Sequence, residues 1–282
     1  MEWASFSVLI WFICMVYVPY VYIGLNWEFM VLFALCWISI QWKRWDTIRK
    51  IPLWDMLRDW HQITYVGNTH LLEDASTARL YTFYPHGTHC VSALLTQTRL
   101  DLLHIRVACA SVLFWIPIIN TSVGWGNGIP AKKELMKIAL RDGESLIVYP
   151  GGLNEIPGAD FLREDEYALK EGEPESKYTY MRREGVFKLA KETNTSIVPV
   201  WVEGEYDTFK VYFPFPRLSW IMYRVIGFPW PMFSSGYWGS PFPKPVKLTV
   251  HVGREIQVTS TSTVDSIQER HAAELTRLKL LY

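Results

Sequence analysis

The sequence lacks an excess of charge of either sign, and it lacks the common motifs of nucleotide-binding proteins and serine hydrolases. Lys and Arg total 28, and Asp and Glu total 28, so the formal net charge is zero. A nucleic-acid partner usually requires a basic surplus, and none is expected here. The absence of GxSxG excludes the nucleophile elbow, and the absence of GxxxxGK[ST] gives no support for a P-loop.

Paired cysteines are also absent. The four cysteines, Cys14, Cys36, Cys90 and Cys109, form no CxxC motif, so the sequence predicts a reducing compartment rather than a disulfide framework. His86, His89 and Cys90 lie close together, and Cys109 is a candidate fourth metal ligand. A structural zinc site normally needs two well-spaced ligand pairs, and the second pair is missing. We therefore expect no bound metal.

The N-terminal region has almost no charge. Between Trp3 and Trp42 the only charged residue is Glu28. The apolar stretch from Trp3 to Asn26 is long enough to cross a hydrocarbon core of about 30 Å, whereas Phe29 to Trp42 reaches only about 21 Å as a helix. The second stretch would re-enter the membrane, tilt, or pair with the first as a hairpin. The alternative is a helical hairpin buried in a protein core.

A basic cluster follows the second apolar stretch and consists of Lys43, Arg44, Arg49 and Lys50. By the positive-inside tendency, this cluster and the rest of the chain face the cytosol. We predict a membrane anchor of one or two hydrophobic helices in residues 1–45 and a cytosol-facing α/β domain in residues 46–282.

Short β-type runs alternate with helical patterns after residue 80. The predicted strands are Leu80–Tyr84, Arg106–Trp115, Ser145–Tyr149, Ser196–Val202 and Lys247–Val252, and the predicted helices are Ala131–Arg141, Met181–Asn194 and Val264–Leu281. This alternation predicts an α/β domain with a largely buried sheet. Pro199 predicts that its strand lies at an edge or contains a bulge.

The segment from Tyr206 to Pro245 is dense in proline and aromatic residues. Such a segment packs irregularly over a core, or it lies at the headgroup level of a membrane, where amphipathic rings are favoured. The sequence leaves both interpretations open.

The stretch FYPHGTHC places His86 directly after a predicted strand. Functional groups of α/β sheets collect at the carboxyl ends of strands, and the neighbouring Pro85 and Gly87 shape the backbone there. A neutral imidazole at this position can accept a proton from a hydroxyl group near pH 7. The alternative is a histidine that only hydrogen-bonds its own loop.

Two later stretches carry further candidates. After the strand at Ser145, Gly151 and Gly152 offer backbone N–H groups that can hold an oxyanion, and Glu155 on the same loop is suited to orienting a histidine. The alternative is a plain turn. Arg182 and Arg183 begin a predicted helix, where side chains and free helical N–H groups suit a phosphate; the alternative is a solvated charged face.

Five segments stand in an order that resembles the type-2 diacylglycerol acyltransferase family, which also contains monoacylglycerol acyltransferases and wax-ester synthases. They span roughly residues 80 to 260: YPHG at 84–87, GGLNE at 151–155, the block from Arg183 through Gly204-Glu205, FSSGYWG at 233–239, and VGREI at 252–256. The family pattern HPHG differs here, because Tyr84 replaces its first histidine. Ala131 also stands where the family has a serine after Pro130.

The resemblance implies a glycerolipid-acyltransferase-like mixed sheet flanked by helices. It implies transfer of an acyl group from acyl-CoA, the co-substrate, to a lipid hydroxyl, with no other cofactor and no metal. His86 would be the general base, oriented by Glu155 or by a loop carbonyl. The implied substrate-binding residues are Tyr84, Pro85, Gly87, Gly151 and Gly152, with Lys132, Lys133, Arg182 and Arg183 as candidates to hold the CoA phosphates.

The acceptor is expected to be diacylglycerol or monoacylglycerol, with a fatty alcohol or a sterol left open. The expected location is the endoplasmic reticulum membrane, with the lipid droplet as a further site, and homo-oligomerisation is left open. The replacement at Tyr84 and the missing serine motivate one alternative from another class: a non-catalytic member of the fold that binds lipid or a partner.

Overall fold

The structure is a computed structural model that describes residues 50–115, 120, 123–124, 126–159 and 184–281. The predicted anchor in residues 1–45 and the candidates Arg182 and Arg183 lie outside these residues. In the part of the chain that is described, no helix is both long enough and apolar enough to span a membrane.

The described helices and strands alternate over most of the chain. The helices are α1 (Leu53–Trp60), α2 (His70–Glu73), α3 (Val91–Gln97), α4 (Lys133–Arg141), α5 (Gly185–Thr193), α6 (Pro216–Ile226) and α7 (Val264–Leu281). The strands are β1 (Thr64–Gly67), β2 (Arg79–Tyr84), β3 (Ile105–Cys109), β4 (Gly128–Pro130), β5 (Ser145–Val148), β6 (Ser196–Glu203), β7 (Lys210–Tyr212), β8 (Phe233–Ser235) and β9 (Thr249–Val252).

Within the described residues, seven strands form one mixed sheet in the order β1-β9-β6-β2-β5-β3-β4. The run from β6 to β4 is parallel, and β9 pairs antiparallel with β6 and parallel with β1. The carboxyl ends of β2 to β6 therefore lie along one edge. The central strand β2 is buried along its whole length, as expected for a strand covered on both faces.

Helices cover both faces of this sheet, which confirms the predicted mixed sheet flanked by helices. On one face, Tyr81 and Phe83 of β2 pack in a core with Leu95 of α3. On the other face, Leu80 packs in a second core with Phe187 of α5 and with residues of α4 and α7. The two cores follow from the side-chain alternation of β2, because successive residues point to opposite faces of a sheet.

A smaller unit lies beside the main sheet. Strands β7 and β8 form a two-stranded antiparallel sheet, and α6 lies between them in the chain. Val211, Phe213, Tyr223 and Met232 from this unit pack with Ile156 and Ala159 in a third apolar cluster. The aromatic-proline segment therefore contributes inward-facing side chains that cover part of the core.

Candidate active site at the carboxyl edge of the sheet

The loops that follow four parallel strands carry the candidate site residues. His86 follows β2, the segment Gly151–Glu155 follows β5, Lys132 follows β4, and Glu205 follows β6. Because these strands run in the same direction, the four loops lie along one edge of the sheet, where α/β proteins usually place their ligands.

The ring of His86 is half-buried and has a defined tautomer. Its Nδ1 lies 2.7 Å from the carbonyl oxygen of Gly87. A carbonyl can only accept a hydrogen bond, so Nδ1 carries the proton of the neutral ring, and Nε2 is the basic nitrogen. The ring also packs edge-on against Tyr149, with 4.9 Å between centroids. A loop carbonyl thus orients the imidazole.

Glu155 braces the His86 loop through the backbone. Its Oε2 accepts a hydrogen bond from the His86 backbone N–H at 3.1 Å. The side chain folds back over Gly151, where an added Cβ would lie only 1.8 Å from Glu155 Oε1. Glycine at 151 therefore gives the carboxylate room to reach the neighbouring loop, and this pair explains the local pattern GGxxE physically.

Glu205 is a supporting residue to which sequence reasoning assigned no role. Its side chain is buried, and its two carboxylate oxygens accept the backbone N–H groups of Val91 at 2.7 Å and Ser92 at 3.0 Å, at the start of α3. Burial raises the pKa of Glu205 to about 7, and the hydrogen bonds from Ser92 and Val91 oppose this rise. A charged residue is usually exposed, so its burial was not expected; its position after a predicted strand and its place in the Gly204-Glu205 segment were the signals.

The turn between His86 and α3 is fitted closely to Glu205. Gly87 has a φ of +59°, and a Cβ at this position would lie 2.7 Å from Glu205 Cγ. The Cys90 thiol lies 3.2 Å from the carbonyl oxygen of His86, to which it donates. Burial, followed by the nearby Glu205 carboxylate, raises the pKa of Cys90. Cys90 is thus a neutral thiol that supports the loop and is poorly suited to act as a nucleophile.

Two of the sequence-predicted substrate-binding residues, Tyr84 and Pro85, are buried immediately before His86. Tyr84 is buried on the opposite face of the sheet, in a small cluster with Leu275, and its ring lies 5.6 Å from that of His271. Pro85 is also buried, next to a cis peptide bond. Tyr84 therefore packs against α7, as its contacts with Leu275 and His271 show.

The glycine loop after β5 offers fewer free donors than the sequence suggested. The N–H of Gly152 donates to the carbonyl oxygen of Tyr149 at 3.1 Å, which closes the turn. Gly152 itself has a φ of +55°, a conformation that favours glycine. The role of Gly152 is therefore to shape the turn that presents Gly151 and Glu155.

Lys132 and Lys133 lie at the start of α4, after the edge strand β4, and both are exposed. Lys133 Nζ pairs with Glu192 Oε1 at 2.6 Å, and Lys137 pairs with the same carboxylate at 2.9 Å. Three strand spacings of about 4.8 Å each separate β2 from β4, so the strand before these lysines lies about 14 Å across the sheet from the strand before His86. The two lysines therefore belong to the far end of the same edge.

The candidate metal ligands are not assembled into a site within the described residues. Among the residues that the structure describes, no group of three His, Cys, Asp or Glu side chains is arranged to hold a metal. His89 turns away toward β8, where its Nε2 lies 2.7 Å from Ser234 Oγ. Burial also raises the pKa of Cys109 to about 12, which disfavours the thiolate that a metal requires.

Two surface clefts lie away from His86. One of about 520 Å³ is lined by residues such as Arg58, Tyr65 and Arg99, and another of about 240 Å³ is lined by residues such as Asn68, His251 and Arg277. Neither includes the His86 loop among its walls. His86 thus lies outside both of these clefts.

Comparison with known proteins gives the class of this site. The family model described as diacylglycerol acyltransferase matches residues 19–282. The human 2-acylglycerol O-acyltransferase 3 is 26% identical, with 91% of this chain and 80% of the relative covered. Diacylglycerol O-acyltransferase 2 of Xenopus tropicalis is 22% identical, with 100% and 82% covered.

A solved structure is also similar. The crystal structure of the 1-acyl-sn-glycerophosphate acyltransferase PlsC from Thermotoga maritima matches with a TM-score of 0.48 and 12% identity, and it covers 99% of this chain and 93% of that chain.

The protein is therefore an acyltransferase by class. More specifically, the chain belongs to the diacylglycerol acyltransferase family, which confirms the resemblance drawn from the five ordered segments. Membership of a family of named enzymes does not favour the non-catalytic alternative. The assignment of roles to individual site residues stays a prediction.

Proposed function

We propose that the protein is a membrane-bound enzyme that transfers an acyl group from acyl-CoA to the hydroxyl group of a lipid, with diacylglycerol or monoacylglycerol as acceptor. The relatives' names supply the reaction class and these two acceptors. The observation that carries the proposal is the tautomer of His86, because the Gly87 carbonyl on Nδ1 leaves Nε2 as the basic nitrogen.

In the proposed reaction, His86 Nε2 accepts the proton of the acceptor hydroxyl as its oxygen attacks the thioester carbonyl carbon. The tetrahedral intermediate then collapses, the carbon–sulfur bond breaks, and the imidazolium returns its proton to the departing CoA sulfur. A positioned general base of this kind contributes about 10²–10⁴-fold to a rate. Glu155 acts indirectly, since it holds the backbone of the loop that carries His86.

Backbone N–H groups of the loop around Gly151 are proposed to stabilise the oxyanion. Lys132 and Lys133 are proposed to hold the CoA phosphates, together with Arg182 and Arg183, which lie outside the described residues. Separation of these cations from His86 along the sheet edge suits an extended co-substrate whose reactive thioester is remote from its phosphates. No further cofactor and no metal enter this scheme.

The apolar N-terminal region, which is also outside the described residues, is proposed to anchor the protein in the endoplasmic reticulum membrane, with the α/β domain facing the cytosol. A membrane location suits the chemistry, because both the acceptor and the ester product partition into lipid. The lipid droplet is a second proposed location.

The test is an acceptor panel. The full chain in vesicles is supplied with labelled acyl-CoA and, in turn, with monoacylglycerol, diacylglycerol, a fatty alcohol and a sterol, and ester formation is measured. We expect esterification of an acylglycerol, and we expect His86→Ala to lower kcat by about 10²–10⁴-fold.

The matched control is His70→Ala, because His70 is an exposed histidine at the start of α2. This variant should keep full activity. Undiminished ester formation by His86→Ala would remove the imidazole from the mechanism, and absence of turnover with every acceptor would reject the proposed reaction.

A further inference from the structure

The outer face of α6 is an exposed apolar surface. Only Ser219 of this 11-residue helix is buried. Leu218, Ile221 and Val225 recur at intervals of three and four residues, so they form one stripe along the helix. Their exposed fractions are 45%, 50% and 74%. A soluble surface rarely presents a continuous apolar stripe of this kind without a partner.

Aromatic side chains extend this apolar surface at both ends of the helix. Phe215 immediately precedes α6 and is 62% exposed, and Trp220 on the helix is 42% exposed. Trp230, shortly after the helix, is 38% exposed. Tryptophan rings are favoured at the boundary between hydrocarbon and water, which they satisfy with an apolar body and a polar N–H group.

The charge of this region points to an anionic partner. The sequence from residue 208 to residue 254 contains no Asp or Glu, although the chain as a whole has a net charge of zero. Its basic residues are Lys210, Arg217, Arg224, Lys244, Lys247 and Arg254. Arg217 and Arg224 lie on α6 itself, seven residues apart and therefore on the same side of the helix as each other, beside the apolar stripe.

The inner face of α6 connects this surface to the active-site edge. Tyr223 packs against the apolar cluster that contains Ile156, and Leu153 packs against the same cluster. Leu153 and Ile156 lie on either side of Glu155 in the chain, and the Glu155 carboxylate accepts the backbone N–H of His86. Helix α6 is therefore separated from the catalytic loop by one layer of side chains.

We propose that α6 lies in the plane of an anionic membrane surface, with Leu218, Ile221 and Val225 immersed among the acyl chains and Arg217 and Arg224 at the phosphate level. An apolar face flanked by basic residues is the pattern of an interfacial helix, which sits about 5–10 Å deep in the boundary region. This inference rests on the proposed membrane function, to which it adds a second contact that is distinct from the N-terminal region and holds the active-site edge toward the bilayer.

The experiment compares two exposed isoleucines on two helices. Ile221→Cys on α6 and Ile138→Cys on α4, where Ile138 is 55% exposed, are each spin-labelled in the full chain in vesicles that contain an anionic lipid. The unsubstituted protein, labelled in parallel, provides the background from its native cysteines. Collision rates with oxygen, which concentrates in lipid, and with a water-soluble nickel chelate are then measured.

We expect the label at 221 to collide frequently with oxygen and rarely with nickel, and the label at 138 to show the reverse. Frequent nickel collisions at 221 would place α6 in water and overturn the proposal. Low collision rates with both probes at 221 would mean that protein covers the helix, such as residues 1–49 or a second chain, and would overturn it equally. Neither readout depends on catalysis.

An activity measurement separates this inference from the proposed reaction. The double variant Ile221→Glu/Val225→Glu should lose on the order of tenfold in rate toward an acceptor in the vesicle, because carboxylates are disfavoured in the bilayer. With a short-chain, water-soluble acylglycerol, the rate of the double variant should change less than about twofold. The control Ile138→Glu should change less than about twofold in rate with either acceptor. An equal loss of rate with both acceptors would contradict a membrane role for α6. If the unsubstituted protein shows no activity with either acceptor, only the proposed reaction is contradicted.

Discussion

Two carboxylates from different strands fix the loop that carries His86. Glu155, after β5, accepts the backbone N–H of His86, and Glu205, after β6, accepts the first N–H groups of α3. The imidazole itself is held by the carbonyl of Gly87. The proposed general base is thus oriented by backbone geometry, and the two carboxylates act on that geometry rather than on the ring.

The close fit between Gly151 and Glu155 predicts the effect of a single methyl group. In Gly151→Ala the new Cβ would overlap the Glu155 carboxylate, so the carboxylate must leave the His86 N–H. We expect kcat to fall about 10–100-fold, since a displaced catalytic group is costly even at about 1 Å. The measurement is steady-state ester formation, with Glu155→Ala expected to give a similar loss and the double variant little more.

The matched control for this prediction is Gly185→Ala at the start of α5, where an added Cβ meets no atom within 4 Å. Its thermal unfolding midpoint should stay equal or rise, because alanine favours a helix over glycine. Independent, additive losses from Gly151→Ala and Glu155→Ala would show that the two residues do not act through the same contact.

The raised pKa of Glu205 predicts a pH-dependent stability. Its pKa is about 7 in the folded protein, against an ordinary value of 4.5. The folded state therefore holds this proton more tightly, so the stabilising effect is complete below about pH 4.5 and is lost as the pH rises through about 7. The expected loss is about 3 kcal/mol. Glu205→Gln cannot titrate, and its unfolding free energy should lack this decline.

Thermal unfolding of the detergent-solubilised protein between pH 5 and pH 8 tests this difference. His271 contributes with the opposite sign at lower pH, because burial lowers its pKa to about 3, but this contribution is common to both proteins and cancels in the comparison. The control Glu269→Gln on the exposed side of α7 should keep the decline. A Glu205→Gln profile parallel to that of the unsubstituted protein would refute the assigned pKa.

Periodicity and charge in the sequence predicted most helices and strands, but they did not predict which strands pair with each other. Helix α7 begins and ends at the residues that the apolar spacing predicted, Val264 and Leu281. Its first turn is capped by Thr263, whose Oγ1 accepts the N–H of Ser266 at 3.2 Å. The prediction that Pro199 marks an edge strand is wrong, because β6 pairs with β2 on one side and β9 on the other.

The physical reason is an interruption in the partner strand. Pro199 falls between the pair Val200–Val252 and the isolated bridge Ile197–Ile256, and its carbonyl accepts the N–H of Gly253 at 2.8 Å. A backbone N–H at position 199, which proline lacks, would point toward this irregular stretch of the partner strand. The proline therefore costs the sheet no regular hydrogen bond between strands. The sequence signal for an irregularity was therefore correct, but pairing partners are set by tertiary structure.

Helix α7 is held to the sheet by a few buried side chains, which predicts an uneven response to substitution. Leu275 is 2% exposed and packs with Tyr84, whereas Leu281 on the same helix is 55% exposed. Leu275→Ala should lower the free energy of unfolding by about 2–5 kcal/mol through the lost contact and the cavity, and Leu281→Ala should change it by less than about 0.5 kcal/mol. Equal effects in denaturant unfolding would contradict this arrangement of α7.

Over the whole molecule, the sheet edge unites residues that are distant in sequence. The order of short motifs identified the family, and the segments at 84–87 and 151–155 follow predicted strands, so an α/β fold with candidate residues at one edge of the sheet was predictable. The strand order that places β5 and β6 on either side of β2 was not, because it depends on contacts between segments more than sixty residues apart, such as His86 with Glu155. The burial of Tyr84 was likewise hidden, since the resemblance carries motif positions but not the direction of side chains.

The length of this edge predicts that the binding of acyl-CoA and the chemical step respond to different substitutions. Lys132 follows β4, which lies about 14 Å across the sheet from β2 by strand spacing, and Lys133 forms an ion pair with Glu192. Lys132→Glu should raise KM for acyl-CoA about tenfold through the loss of a charge-assisted phosphate contact and leave kcat within about twofold. Lys133→Ala should raise KM less, because the ion pair with Glu192 already engages its ammonium group.

Lys191→Glu is the matched control, because Lys191 is an exposed lysine in the last turn of α5 and its reversal makes the same change in net charge. If it raises KM as much as Lys132→Glu does, the effect comes from the overall field of the protein and not from a phosphate site at α4. If Lys132→Glu instead lowers kcat and leaves KM unchanged, the sheet edge does not divide binding from chemistry, and the co-substrate must lie along another path to His86.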